Sequence, residues 1–496
     1  MAGSVFQVGE QRIRPGVYVR VTDVGQPPEA IVPQGTVAAL FRAPWGPLGK
    51  DGTKENVVIL ENAEGISTAF GGNGEDYTLD VPAEAFLGGC RNVLSFRLGA
   101  GGSKATLKLK DTTQDSAKDV VQLDALYVGK RGNDFSVTVR DSLVDETKRE
   151  VLIYEGVTLR QTIEFAKGDG GDGEPKSLAA AIATSNSPWV TAKVLSDGGN
   201  KLLATTATSA KFSGGDDPTV TGEDYSNGLQ AIEALDWNVP CVDTDDAVIH
   251  AMVQTYIDRV RNEGKRVIGV VGEPTSETLA TRLSHARAFN DPAIVYVANG
   301  FKGADGITRE GYLAAARVAG MIAGSQVTDS LTHAVVRGAT EVVGALTNAE
   351  IEAALSSGAL VFTMSARKQV QIEQGINTFV TVTADMDAGW KKIRRVKTRD
   401  SLIDRITFTW DPLIGKINNS SDGRATLIAL AQGTINKMVA EGALLGGIFA
   451  EDANNPPAGD SAWFVAYVDD LDSAEKTYIT FGFRFSPGGG LIFGEV

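Results

Sequence analysis

The chain has very little cysteine. Among its 496 residues only Cys90 and Cys241 occur, far apart and without a CxxC partner, which excludes a disulfide scaffold and a zinc site of that spacing. Such usage fits synthesis in a reducing interior. Histidine is almost as scarce, with His250, His285 and His333 the full set of 3, so the usual general base near neutral pH is in short supply. His250 and His285 fall on predicted helices and His333 in a predicted strand, where a structural role is the simpler reading. Positive charge is also in deficit. A formal charge of −15, from 47 Lys and Arg against 62 Asp and Glu, is the wrong sign for a chain that must displace counterions from phosphate, so direct nucleic-acid binding is not expected. Long apolar runs are missing as well: the densest, Ala293 to Ala298, is far too short to span a bilayer. The opening Met1-Ala2-Gly3-Ser4-Val5-Phe6-Gln7 lacks the basic and apolar regions of a secretory signal. The expectation is a soluble chain with no membrane insertion.

Sequence motifs for bound chemistry are missing too. There is no GxGxxG, no GxxxxGKS or GxxxxGKT, no HExxH and no GxSxG. Gly269-Val270-Val271-Gly272-Glu273-Pro274 follows a predicted strand and opens a helix, yet it lacks the phosphate-binding lysine and the third glycine. The Gly/Asp loops at 168–173 and 213–217 do not have the twelve-residue spacing of a calcium loop and read as solvated turns. No cofactor, metal or catalytic residue is expected.

Present instead are 56 glycines, more than the usual share of about 7%, which implies many turns and many strands. The length exceeds the roughly 100 to 200 residues of one domain. Residues 22–100 are punctuated by Pro and Gly and read as a small mixed domain. From 101 to 215 short β-type runs alternate with turn clusters, the pattern of a β-sandwich insertion. From 216 to 380 strands alternate with amphipathic helices. Ile249, Met252, Val253, Tyr256, Ile257 and Val260 form one apolar stripe, Ala293 to Ala298 is a buried-type strand, and Gly311 to Ala323 is a helix of small residues. Such alternation implies right-handed crossovers and a mostly parallel sheet. Residues 381–496 open with the basic run Lys391-Lys392-Ile393-Arg394-Arg395-Val396-Lys397-Thr398-Arg399, then two helices and the final strands.

Both ends are written as strands with nothing nearby to pair with. At the start Ile13, Val17, Val19 and Val21 share one face around Pro15, Gly16, Tyr18 and Arg20. At the finish Ile479, Phe481, Phe483 and Phe485 alternate with polar or small residues, and Ser486-Pro487-Gly488-Gly489-Gly490 leads to Leu491-Ile492-Phe493. An exposed strand edge is a template for a neighbouring chain. Pairing of the two ends within one subunit is the alternative.

Laid out in order, the chain resembles the tail sheath proteins of contractile-tailed phages and related phage-tail-like injection particles. The resemblance runs through Arg14-Pro15-Gly16-Val17-Tyr18, Trp45-Gly46-Pro47, Gly132-Asn133-Asp134, Asp224-Tyr225, Trp237-Asn238-Val239 and Ala316-Arg317-Val318-Ala319-Gly320-Met321-Ile322-Ala323-Gly324-Ser325. It continues through Asp400-Ser401-Leu402 and Ile414-Gly415-Lys416-Ile417-Asn418-Asn419-Ser420-Ser421-Asp422-Gly423-Arg424, covering nearly the whole chain. It implies an α/β plus β, multidomain fold: a subtilisin-like α/β core without protease chemistry, an inserted β-sandwich and a C-terminal α+β domain with strand-exchanging terminal arms. It also implies stacked homohexameric rings around an inner tail tube protein, ends joined to baseplate and tail terminator proteins, and contraction that drives the tube through a target envelope. Synthesis would take place in the host bacterial cytoplasm. The N-terminal arm would be 1–21 and the C-terminal arm would carry Ile479–Phe485 or Leu491–Phe493. Lys391, Lys392, Arg394 and Arg395 are the candidates for facing the tube, on the expectation that they form a charged, solvated surface. The competing class is an α/β hydrolase-like enzyme with a β-sandwich appendage, which a Ser or Asp set against His250, His285 or His333 would favour.

Overall fold

A computed structural model of the chain describes residues 35–49, 54–72, 74–113, 117–168, 173–195, 202–206, 209–384 and 386–481. The proposed N-terminal arm and Phe483, Phe485, Leu491, Ile492 and Phe493 lie outside the described residues.

The first strand, β1 (Thr36–Phe41), is buried along its whole length, as a continuous apolar run in a sheet covered on both faces must be. It is followed by β2 (Val58–Leu60), the short helix α1 (Glu64–Phe70), α2 (Asp80–Gly88) and β3 (Asn92–Arg97). β1 and β3 pair in parallel, and β2 lies antiparallel on the outer side of β3.

The chain then leaves the core for a β-rich insertion. Its strands are β4 (Thr106–Lys110), β5 (Asp119–Ala125), β6 (Phe135–Asp141), β7 (Lys148–Glu155), β8 (Thr158–Ala166), β9 (Val190–Val194) and β10 (Ala210–Lys211), with helix α3 (Gly173–Thr184) before β9. They form two antiparallel sheets, ordered β10-β6-β7-β8 and β4-β5-β9. Period-two alternation turns Val121, Leu123, Phe135, Val137, Val139, Val151 and Ile153 into one shared core, closed by Leu178 and Ile182 of α3.

Helix α4 (Gly222–Glu233) brings the chain back, its start fixed by a capping box between Thr221 and Asp224. Strands and helices then alternate: β11 (Val239–Val242), α5 (Ala247–Asn262), β12 (Gly269–Gly272), α6 (Leu279–Phe289), β13 (Ile294–Val297), β14 (Gly300–Gly303), β15 (Thr308–Arg309) and α7 (Tyr312–Gly324). β16 (Ala339–Val343), α8 (Asn348–Ser356), β17 (Ala359–Leu360), β18 (Phe362–Met364) and β19 (Val370–Ile372) complete this part. β11 pairs in parallel with β1. A backbone bond of 3.1 Å from Ile268 to Asn238 then carries the sheet on towards β12, β13 and β17, which are also parallel. Residues 22–100 are thus no separate unit where they are described, because β1 and β3 belong to the same sheet as β11. Sequence spacing hid this, since the insertion separates the partners by some two hundred positions.

The small-residue helix α7 lies on α2 at backbone contact. A Cβ at Gly320 would stand 2.0 Å from the Ala85 carbonyl oxygen, and one at Gly88 would stand 2.4 Å from that of Arg317. This close approach explains why α7 is written in Ala and Gly. Buried Glu84 of α2 reaches across to Arg317 at 2.6 Å and Arg309 at 2.5 Å, so the charges of this contact are paired rather than solvated.

The C-terminal unit consists of α9 (Ile393–Trp410), α10 (Ser421–Ala440) and the antiparallel hairpin β20 (Leu444–Glu451) and β21 (Phe464–Asp470). Its small core gathers Leu402, Ile435, Met438 and Leu444, and Trp410 meets Phe449 and Phe464 edge to face at 5.4 and 5.1 Å. The basic run, expected to form a charged, solvated surface, starts at the last residue of a short 3-10 turn and makes up the first turns of α9. His333, placed in a strand by its neighbours, sits in a turn with φ 58°. Residues 471–481 belong to no helix or strand.

Candidate assembly surfaces

Two motifs of the sequence meet at the neck where the insertion joins the core. Trp45 is supplied by the loop after β1 but is 2% exposed inside the insertion's core. Tyr127 and Phe135 meet its ring edge to face at 5.1 and 5.2 Å, and the Arg131 guanidinium lies 5.6 Å from its centroid. Arg97, at the end of β3 and wholly buried, donates to the carbonyls of Ala43, Gly46 and Val128 at 2.8 to 3.0 Å. Burial holds this guanidinium down to about 10, although Asp217 and Tyr77 pull the other way. Asn133 and Gly215 exchange a reciprocal pair of 2.8 Å bonds between the outgoing and returning chains. The neck is therefore a cross-linked joint, and the insertion is held to the core as one body.

At the carboxyl ends of β11 and β12 stands a group of buried polar side chains. Asp243 accepts from Thr78 Oγ1 at 2.5 Å, Tyr225 Oη at 2.6 Å and Arg42 Nε at 2.9 Å. Asp245 accepts from the Tyr312 N–H at the start of α7 at 2.7 Å. Burial raises its carboxyl to about 6, against that bond and with the charges of Glu273 and Glu310 adding to the rise. His285 faces Glu273 at 2.8 Å, and His250 Nε2 faces the Thr244 carbonyl at 2.9 Å. Burial pushes the His250 imidazole down. Among the described residues no hydrogen bond joins a histidine to a serine or cysteine, and no group of His, Cys, Asp and Glu is arranged to hold a metal ion. Both cysteines are buried and free.

The basic run does its work inside the subunit. Lys391 donates to the Leu355 carbonyl at 2.6 Å, Lys392 pairs with Asp472 and Glu475 at 2.8 and 2.9 Å, and Arg395 clasps Asp470 at 2.8 and 2.6 Å. Arg394 has a buried Nε with no hydrogen-bond partner among the described residues. Lys397 donates to the Ile322 and Ser325 carbonyls and to Ser325 Oγ at 2.7 to 2.8 Å, closing the end of α7. Arg261 of α5 clasps Asp400 of α9 at 2.8 and 2.9 Å. The expectation of a solvated basic face at Lys391, Lys392 and Arg395 is thus corrected: a helix turn aims these side chains at the core and the tail. The acidic partners of Lys392 and Arg395 lie some seventy or more positions downstream, beyond the reach of spacing rules.

The hairpin presents the opposite character. Its outer edges pair with no other strand among the described residues, and Leu445, Ile448 and Tyr467 are exposed on it. The tail that follows carries Tyr478, Ile479 and Phe481 at 91, 71 and 73% exposure. No helix of the described residues is long and apolar enough to cross a membrane.

Comparison with known proteins gives these surfaces their class. Residues 219–378 match the family model of the phage tail sheath protein central domain. The phage-like element PBSX protein XkdK of Bacillus subtilis is 25% identical over 496 residues, covering 96% of this chain and 99% of that one. The tail sheath protein of Clostridium phage phiCD119 is 25% identical over 211 residues, covering 42% of this chain and 55% of its own. In fold, the sheath tail protein of Desulfitobacterium hafniense superposes with a TM-score of 0.67 at 24% identity, over 92% of this chain and 100% of that one. The contracted helical sheath of the anti-feeding prophage gives a TM-score of 0.51 at 10% identity, over 95% and 99%. The fold is a mixed α/β architecture with several small sheets, and its class is that of a structural component of a contractile tail. Residues 219–378 thus carry the phage tail sheath central domain, and the chain as a whole is similar to tail sheath proteins of phages and phage-like particles.

Proposed function

We propose that the chain is a sheath subunit that polymerises as stacked hexameric rings around an inner tube and contracts to drive that tube through a cell envelope. The observation that carries this reading is the hairpin with unpaired edges beside an exposed apolar tail. An unpaired two-stranded sheet is marginal alone and gains most from added strands. Arms at 1–21 and at the C-terminus supply them, one subunit to the next, and keep the subunits linked while their domains slide. The mostly parallel sheet with helices on both faces supports a subtilisin-like core without protease chemistry, and the facing antiparallel sheets of 101–215 support a β-sandwich. Residues 381–496 face the tube. Lys391, Lys392, Arg394 and Arg395 serve that role chiefly by shaping the unit from within. Baseplate and terminator proteins close the two ends of the assembly, and synthesis takes place in the host cytoplasm.

Contraction without fuel requires an extended arrangement trapped at assembly and a wider one of lower free energy. A gain of about a few kcal/mol per subunit, summed over many copies, shifts such an equilibrium completely. The test is electron microscopy of the purified chain. Hollow tubes with a stacked-ring repeat are expected, and their loss is expected when the chain is cut back to residue 476. Folded monomers at high concentration, with and without tube protein, would refute the reading.

A further inference from the structure

The tail does not simply drift away from the hairpin. From the last residue of β21 onward three carboxylates in quick succession are gripped, and between the first two the Leu471 N–H donates to the Ala443 carbonyl at 3.2 Å. Asp470 takes both Arg395 and Arg399, the latter at 3.2 Å. Asp472 and Glu475 share the Lys392 ammonium. Glu475 also accepts from Thr332 Oγ1 and from Gln374 Nε2, both at 2.8 Å. Three parts of the molecule therefore converge on one short stretch: α9, the loops around Thr332 and Gln374 of the core, and the tail. These pairs are partly desolvated, with the Glu475 side chain 9% exposed. From Lys476 to Phe481 every residue is exposed. The chain changes character within one residue, from a clamped segment to an exposed one that carries Tyr478, Ile479 and Phe481.

We propose that Lys392, Arg395 and Arg399, gripping Asp470, Asp472 and Glu475, form a clamp that fixes where the C-terminal arm leaves the subunit and presents Tyr478–Phe481 to a second copy of this chain. The proposal rests on the sheath reading above and adds the device that aims the arm. A fixed root shortens the free span of the arm and raises its effective concentration at a neighbouring edge, as any short linker does. It also lowers the ordering cost of strand addition. The occupant is a second copy because the acceptor chemistry is already present on the same unit: an exposed apolar face at Leu445, Ile448 and Tyr467 beside the outer edge of β21, which pairs with no other strand among the described residues, matched by the alternation of Ile479 and Phe481. Charge pairs suit the root, because they hold position under load without burying a patch that would aggregate before assembly.

The test uses the full chain with K392E, E475Q and the exchanged pair K392E/E475K. Two quantities are read: the rate of chymotryptic cleavage after Tyr478, which requires the residues just upstream to enter the protease, and tube formation by electron microscopy. K392E is expected to raise the cleavage rate about tenfold by freeing the root and to abolish or shorten tubes, E475Q to do so more weakly, and the exchanged pair to recover both towards wild type. Thermal melting followed by circular dichroism shows that each variant is folded. Cleavage of folded K392E at the wild-type rate overturns the clamp, as do normal tubes from a variant whose tail is freely cleaved. If the wild-type chain forms no tubes with or without tube protein, the sheath reading fails, while the cleavage rates still decide whether the clamp exists.

Discussion

Trp45→Ala tests whether the insertion is held to the core as one body. The indole is supplied from the core side of the neck and fills the insertion's interior at 2% exposure. A buried tryptophan removes about 150–250 Å² from water, which at about 25 cal/mol per Å² is about 4–6 kcal/mol. The alanine that replaces it keeps a fraction of that, and a compact unfolded state lowers it further. The two edge-to-face contacts with Tyr127 and Phe135 restore about 0.5–1.5 kcal/mol each. A loss of about 3–5 kcal/mol results, in the range of measured aromatic deletions in cores. The location of the loss is as informative as its size. Because Trp45 bridges two units, its removal should separate them, so that one cooperative transition becomes two, with the insertion melting first. Differential scanning calorimetry with limited proteolysis at the neck provides the assay. A single transition shifted by under 1 kcal/mol would falsify the idea of a mechanical joint.

Gly320→Leu places a side chain where even a Cβ meets the Ala85 carbonyl oxygen at 2.0 Å, so α2 and α7 must part. A cost of at least about 1–3 kcal/mol is expected in urea denaturation, and a variant as stable as wild type would contradict the backbone contact. Arg261→Ala leaves Asp400 buried without its bidentate partner, and a loss of about 3–5 kcal/mol is expected. The double substitution R261M/D400L should recover most of it in the same measurement. Asp245 titrates in the fold at about 6 against an ordinary 3.8. The folded state then binds the extra proton, so this group's contribution to stability falls as pH rises from about 4 to about 6. Asp245→Asn should flatten that part of the stability–pH curve and gain on wild type across it. An unchanged curve would show that the carboxyl is not desolvated.

Much of the core was legible because its signals are local. The stripe of Ile249, Val253, Tyr256, Ile257 and Val260 is buried on α5, the run Ala293–Ala298 is the interior of β13 and its flanks, and the alanines of α7 face the core. Periods of 3.6 and 2 follow from backbone geometry, and any window of the chain displays them. Trp45-Gly46-Pro47 and Gly132-Asn133-Asp134 were visible as motifs, but their role as the two halves of a neck was not, since nothing in spacing says that Trp45 enters a core built from residues 105–212.

What the sequence by itself determined is local: its elements, its alternation of α/β and β parts and its family resemblance. Only the tertiary structure decided that β1 and β3 complete the sheet of β11, and that Lys392, Arg395 and Arg399 are committed to Asp470, Asp472 and Glu475. The physical reason is the same in both cases. Strand pairing and ion pairing depend on distance in space, and a chain that makes a long excursion between partners carries no local trace of which distant residue will satisfy a buried hydrogen bond or charge.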